Sequence, residues 1–381
     1  MDPVLQTSTQ SWIREAPNEI LAEIFQWATT LSSSLSSCST NERKGPGVPE
    51  ILSQVCVHWR QLAYSTPALW TGLELRASCT ANPNGKKLLS QWFSRSRAVD
   101  VTLSISPHSQ GPELQNMMQI LCANSHLWRK LHLHVPWYSV MIFFGMGVLR
   151  TPMLEELAIE VRSDPLAGIY PNYLPIGAGR TILTDAQQLR TVHLALLPTF
   201  SLDLLHDFLP WSNLTDITFQ KPGVHPALVT HIFTHCKRLV RLKLWTAYWR
   251  MLGFSMEYSD EYCLENLESL ELEAEILPLS HLLRSVRLPA LKSLSLTNIA
   301  DPTEEQYPVE PPLAIALMDL QEHSQFNLTQ LKMCDLLELG HPNHLCSDDI
   351  IQFIGEIPGI KSLELESHGR PVEDSWGSST D

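Results

Sequence analysis

The chain has 381 residues, more than one ordinary core holds, so several domains or a repeat array is expected. Its 44% hydrophobic content excludes a wholly disordered chain. The 41 acidic against 27 basic residues leave a formal charge of −14, which repels phosphates, so neither nucleic acid nor an anionic membrane is expected as a partner.

No basic stretch followed by an apolar run stands at Met1–Trp12, and the apolar run near Val140–Leu149 is too short to span a bilayer. The 8 cysteines are scattered and form no C-x-x-C pair, which fits thiols in a reducing compartment. An intracellular protein, cytoplasmic or nuclear, is the expectation. Pro17 opens a first predicted helix with Ile20, Leu21, Ile24, Phe25 and Ala28 on an apolar face. Residues 32–48, SSSLSSCSTNERKGPGV, read as a flexible insertion. A second helical face follows with Ile51, Leu52, Val55, Cys56, Trp59, Leu62 and Ala63. Thr66–Trp70 begins a third short turn that runs into Leu73-Glu74-Leu75. Three short helices this apolar cannot bury all of their surface among themselves, which predicts a protein partner.

From Ala98 onward one pattern recurs, with apolar residues at i, i+3 and i+5. It reads Ala98-Val101-Leu103, Trp128-Leu131-Leu133, Leu154-Leu157-Ile159 and Leu189-Val192-Leu194. It continues as Leu214-Ile217-Phe219, Leu239-Leu242-Leu244, Leu267-Leu270-Leu272, Leu291-Leu294-Leu296, Leu328-Leu331-Met333 and Ile360-Leu363-Leu365, and Trp70-Leu73-Leu75 fits the same register. Positions i+3 and i+5 alternate on a short strand and so point to one side. The mean step is about 29 residues, at the upper edge of the leucine-rich repeats that this array resembles. Helical returns are predicted at Glu113–Ala123, Pro226–Cys236, Ser280–Val286, Pro312–Leu320 and Ser347–Ile354, the last capped by Ser347-Asp348. The fold class expected is therefore α/β. A small three-helix domain over residues 12–75 is followed by an irregular solenoid over 76–366, a curved parallel sheet with helices on its convex side, and by a disordered acidic tail over 367–381. One feature of regular repeats is missing. Position i+8, where Asn or Cys bonds backbone between turns, is Arg162, Leu197, Pro222, Ala247, Glu275, Ile299 or Leu336.

The segments APNEILAEIF (Ala16–Phe25) and VCVHWRQLAYSTPALWTGLEL (Val55–Leu75) resemble an F-box. They are similar to the F-box-like proteins that are numerous in mushroom-forming (basidiomycete) fungi and often carry irregular leucine-rich repeats. Such proteins begin the segment with Leu-Pro-x-Glu-Ile/Leu-Leu and continue with Val-Cys-x-x-Trp and Pro-x-Leu-Trp; Ala16 stands here in place of the opening Leu. The resemblance implies docking on a Skp-type adaptor, linked through it to cullin and RING subunits, with the repeats holding a protein substrate. By matching position, Pro17, Ile20, Leu21, Ile24, Val55, Trp59 and Leu62 would face the adaptor. A helical cap on the repeat array accounts for the same residues, and both roles can hold together. The alternative is a stand-alone repeat-protein interaction module without ligase coupling.

The residues between i+3 and i+5 form a column of mixed charge on the expected concave side. One stretch stands out: Arg241, Lys243 and Trp245 lie on one predicted strand and precede Tyr248, Trp249, Arg250, Phe254, Tyr258 and Tyr262, beside the acidic Glu271, Glu273 and Glu275. Aromatic and Arg side chains are common interface anchors, so Arg241, Lys243, Trp245, Tyr248, Trp249 and Glu271 are candidate substrate contacts; aromatic cover of the convex side is the other reading. No phosphate-cradling glycine loop and no G-x-S-x-G elbow occurs. His231-x-x-x-His235 lacks the Glu of a metalloprotease helix, and alternating burial accounts for it. Asn213 and Asn327 match the glycosylation triplet but lead into predicted strands. No enzyme activity and no cofactor is expected.

Overall fold

The computed structural model describes residues 16–35, 47–76, 85–105, 112–136, 139–140, 149–162, 183, 185–195, 208–220, 224, 226–246, 262–299, 312–336, 345–357 and 359–366. The chain divides into two compact units, Met1–Leu131 and His132–Asp381. Both are of α/β type.

The first unit opens with α1 (Asn18–Leu35), α2 (Val48–Val55) and α3 (Val57–Ser65). Leu21 and Phe25 of α1 are buried, and the Phe25 ring meets Trp59 of α3 edge-on at 4.8 Å. Cys56 separates α2 from α3 in extended backbone, and its thiol accepts the Trp59 N–H at 3.4 Å as an N-cap. The Arg60 guanidinium donates to the Ser53 carbonyl at 2.9 Å and ties the two helices together. Thr66 leaves the helical region before Pro67, as a residue preceding proline tends to do. Pro67 then starts a 3-10 turn, Pro67–Trp70, whose last residue is the pivot of the unit. The Trp70 indole donates to the Ala63 carbonyl at 2.8 Å, and the Trp70 carbonyl accepts the Trp92 indole at 2.9 Å. The two rings meet edge-on at 4.9 Å, and Arg95 stacks over Tyr64 and Trp70. Trp92 and Arg95 belong to α4 (Gly85–Arg95).

β1 (Gly72–Arg76) pairs in parallel with β2 (Val99–Ser104), Leu73 opposite Val101 and Leu75 opposite Leu103. Every second residue of β2 is buried. α5 (Pro112–Ala123) follows, then β3 (Trp128–Pro136), whose Arg129 grips Asp100 with two hydrogen bonds of 2.9 and 2.7 Å.

The second unit contains β4 (Glu156–Arg162), β5 (Thr191–Ala195), β6 (Asp216–Phe219), β7 (Arg241–Thr246), β8 (Tyr262–Cys263), β9 (Ser269–Ala274), β10 (Val286–Arg287), β11 (Ser293–Asn298), β12 (Gln330–Cys334) and β13 (Ser362–Glu366). Strands β4-β5-β6-β7-β9-β11-β12-β13 lie side by side in that order, each parallel to the next. Position i+3 of every copy sits in one row: Leu157, Val192, Ile217, Leu242, Leu270, Leu294, Leu331 and Leu363. The period-2 pattern and the register agree, so a one-residue slip would turn the whole row outward. The return segments include α6 (Pro226–His235), α7 (Ile276–Ser285), α8 (Leu313–Ser324) and α9 (Ser347–Gly355), while β8 and β10 form a separate parallel pair.

α1 runs to Leu35, into the expected 32–48 insertion, the expected second helical face is broken at Cys56, and two helix N-termini in the second unit also differ from the sequence expectation. α7 begins at Ile276 rather than Ser280, because Pro278 falls in the first helical turn, where its missing N–H costs nothing. α9 is capped by Cys346 rather than Ser347. The Cys346 thiol accepts the Asp349 N–H at 3.4 Å, and the Asp349 carboxylate accepts the Cys346 N–H at 2.9 Å.

A backbone ladder links the turns in an array that lacks Asn or Cys at position i+8. In six copies of the second unit the N–H of position i donates to the carbonyl of i−3, at Leu154, Leu189, Leu214, Leu239, Leu267 and Leu291, which closes the turn into the strand. The carbonyl at i+1 then accepts two N–H groups from the next copy. Glu155 takes Arg190 and Thr191, Arg190 takes Thr215 and Asp216, and Thr215 takes Val240 and Arg241. Val240, Glu268, Lys292 and Thr329 repeat the arrangement with the copies that follow, through bonds of 2.8 to 3.1 Å. Stacked turns need their buried backbone groups paired, and this array pairs them chiefly through main chain, with the Thr215 and Thr329 hydroxyls adding bonds to the Arg190 and Lys292 carbonyls.

Candidate protein-interaction surfaces

Two surfaces of different character emerge, one in each unit. On α1, Leu21 and Phe25 point into the unit, while Ile20, Ile24, Trp27 and Leu31 are 48%, 45%, 67% and 57% exposed. Their spacing, i, i+4, i+7 and i+11, forms a single stripe, roughly 100° around the helix from the buried one. Ile51 and Val55 of α2 and Val57 of α3 add further exposed apolar side chains to the helical segment.

The seven residues matched to the adaptor face divide by environment. Pro17, Ile20, Ile24 and Val55 are exposed. Trp59 and Leu62 are half-buried, and Leu21 is core. Trp27, Leu31, Ile51 and Val57 were not singled out as partner-facing from sequence. The signal that could have found Trp27 and Leu31 is the width of the apolar arc on α1, too wide for one buried face.

The second surface is the polar face of the strands in the second unit. Residues that alternate with the buried rows stand here, and oppositely charged ones meet across neighbouring strands. His132 contacts Glu156 at 2.8 Å and His134 contacts Glu160 at 2.8 Å. Arg241 pairs with Asp216. Lys243 pairs with Glu271 and, at 3.0 Å, with Glu273. Burial acts to lower the Lys243 ammonium, but the hydrogen bonds and charges of the two carboxylates outweigh it and hold it above the ordinary lysine value. Lys332 lies 3.1 Å from both Glu364 and Glu366, whose hydrogen bonds raise its ammonium as well.

The structure brings together Arg241, Lys243, Trp245 and Glu271, since Lys243 lies opposite Glu271, and Trp245 opposite Glu273, in the strand register. Tyr248 and Trp249, like Arg250, Phe254 and Tyr258, lie outside the described residues. So do most of the 32–48 insertion, the segment 301–311 and the tail 367–381. Glu364, next to Lys332 in the column between i+3 and i+5, lies opposite it as the repeat register implies, whereas the second carboxylate, Glu366, is seen only in the structure.

His231 and His235 stack at 4.1 Å between ring centroids, and Trp211 meets His231 edge-on at 5.3 Å. Among the described residues no group of three His, Cys, Asp or Glu side chains is placed to hold a metal, and no helix is long and apolar enough to cross a membrane. The thiols of Cys122 and Cys236 are pushed up to about 12 by burial. No known family model and no curated protein matches the chain.

Proposed function

We propose that the chain is the substrate-recognition subunit of a cullin-type ubiquitin ligase. The exposed stripe Ile20, Ile24, Trp27 and Leu31 carries this reading. A helix that already buries one apolar face has no internal use for a second, and such a face is what a helical or grooved partner covers. The F-box-like order of residues around it names the partner we favour, a Skp-type adaptor, and through it cullin and RING subunits. The polar strand face of the second unit is the surface we assign to the protein substrate. Its paired charges on regular strands give a rigid, polar platform suited to specificity.

Co-purification of the full chain with a Skp-type adaptor tests the reading, comparing wild type with Ile24→Asp/Trp27→Ser. The wild type is expected to be retained. The variant, with its melting unchanged, should lose about thirtyfold in affinity for each anchor worth ~2 kcal/mol. If the wild type is not retained, ligase coupling is lost, and the chain stands as a stand-alone repeat-protein interaction module.

A further inference from the structure

The strand face of the second unit carries the same arrangement twice. Lys243 on β7 holds Glu271 and Glu273 of β9, and Lys332 on β12 holds Glu364 and Glu366 of β13. In each case the lysine lies directly opposite the first carboxylate in register, and the second follows two residues later on the same side. One ammonium with two carboxylates leaves a net charge of −1 on each triad. Between them β11 presents only Ser293, Ser295 and Thr297, short side chains that leave the face low there. Trp245 stands opposite Glu273 and adds an aromatic neighbour to the first triad.

The spacing of the triads selects a ligand shape. Glu273 on β9 and Glu366 on β13 are three strand positions apart, with β11 and β12 between them. At ~4.8 Å per strand this is about 14 Å. An extended peptide rises ~3.3 Å per residue, so side chains four positions apart stand about 13 Å apart. The even separation also puts both on the same side.

We infer that this face binds an extended basic segment of a partner protein, laid across β9–β13, with two Lys or Arg residues four positions apart, one at each triad. Each incoming cation turns a one-to-two set of charges into a balanced two-to-two set. Arg suits the first triad, because its planar guanidinium can bond a carboxylate twice and rest on an aromatic face. The inference rests on the substrate-receptor reading above and names the class of segment that such a receptor would take.

Two end-capped fluorescent peptides in a Ser/Gly background test it, one with Arg at positions k and k+4, the other at k and k+3. Binding to the full chain is read by fluorescence anisotropy at low ionic strength. The k+4 peptide should bind about fivefold more tightly, and Glu273→Gln/Glu366→Gln should erase that advantage with the melting temperature unchanged. Equal affinity for both spacings, no binding of either, or an advantage that survives the double substitution overturns the inference. Adaptor binding is measured on the same preparations. Lost spacing selectivity with adaptor binding retained overturns this inference alone, whereas lost adaptor binding in the wild type overturns the reading beneath it.

Discussion

In α1 the apolar residues fall on two stripes, one buried and one exposed. In the strands of the second unit they fall on one face apart from Ala158, Ala195 and Trp245, and across β4 to β12 the residues of that face at i+3 and i+5 are at most 4% exposed. The strands therefore show an apolar pattern that internal packing explains, with mostly polar and charged residues on the other side. The helix carries apolar surface that its own unit does not cover. That contrast separates residues needed for folding from residues left over for a partner, which composition cannot do. β13 is an instructive exception. Its Leu363 and Leu365 occupy the repeat positions yet are 43% and 42% exposed, with β12 as their strand neighbour.

The largest effects should come from side chains inside either region. Trp70→Ala removes a buried ring, its bond to Ala63 and its contact with Trp92, and should cost about 3–5 kcal/mol. Leu294→Ala in β11 should cost about 2–5 kcal/mol. Leu363→Ala removes the same atoms from the same repeat position and should cost under ~1.5 kcal/mol, because water already reaches that side chain. Denaturant unfolding of the three variants checks the order. A Leu363 cost equal to that of Leu294 would mean that β13 is covered as well as the central strands.

Next in size is the contrast within α1 and its neighbours. Trp27→Ser should change stability by less than ~0.5 kcal/mol. Trp59→Ala should cost more, because it uncovers Phe25 and enlarges the space between α1 and α3. Thermal melts of the two variants decide the point. If Trp27 matters to folding as much as Trp59 does, the exposed stripe is packing surface, and the contrast between the units disappears.

Much of this was legible in the sequence. The i, i+3, i+5 pattern located the rows of the second unit because a buried strand leaves a period of two that few other structures leave. The helical faces around Leu21–Phe25 and Trp59–Ala63 were visible for the same reason, at a period of 3.6. The backbone ladder at Glu155, Arg190, Thr215 and their successors was not legible, since a carbonyl accepts regardless of the side chain beside it. The repeat register already set Lys243 beside Glu271 and Glu273, but that one ammonium meets two carboxylates there, and again at Lys332, was not legible. The division of Ile20 from Leu21 into outward and inward was beyond the pattern too. Adjacent apolar residues differ in direction by about 100°, and only the packed neighbours decide which of them is covered.

The smallest expected effect concerns a polar group inside the helical layer of the second unit. His281 lies on α7, where burial and then the nearby Arg284 charge hold its imidazole below the ordinary histidine value. Protonation therefore favours the unfolded chain, in which the group titrates near ~6.5. The sign follows from linkage. Above that value the histidine is neutral in both states and costs nothing; as pH falls below it toward the lower folded value, stability is progressively lost. His281→Gln should flatten the fall in unfolding free energy between about pH 7.5 and pH 5 without changing it at the upper end. Urea unfolding at several pH values measures this directly. Equal slopes in wild type and variant would show that water reaches the imidazole freely. α7 would then cover the strands more loosely than the burial of Leu279, Leu282 and Leu283 indicates.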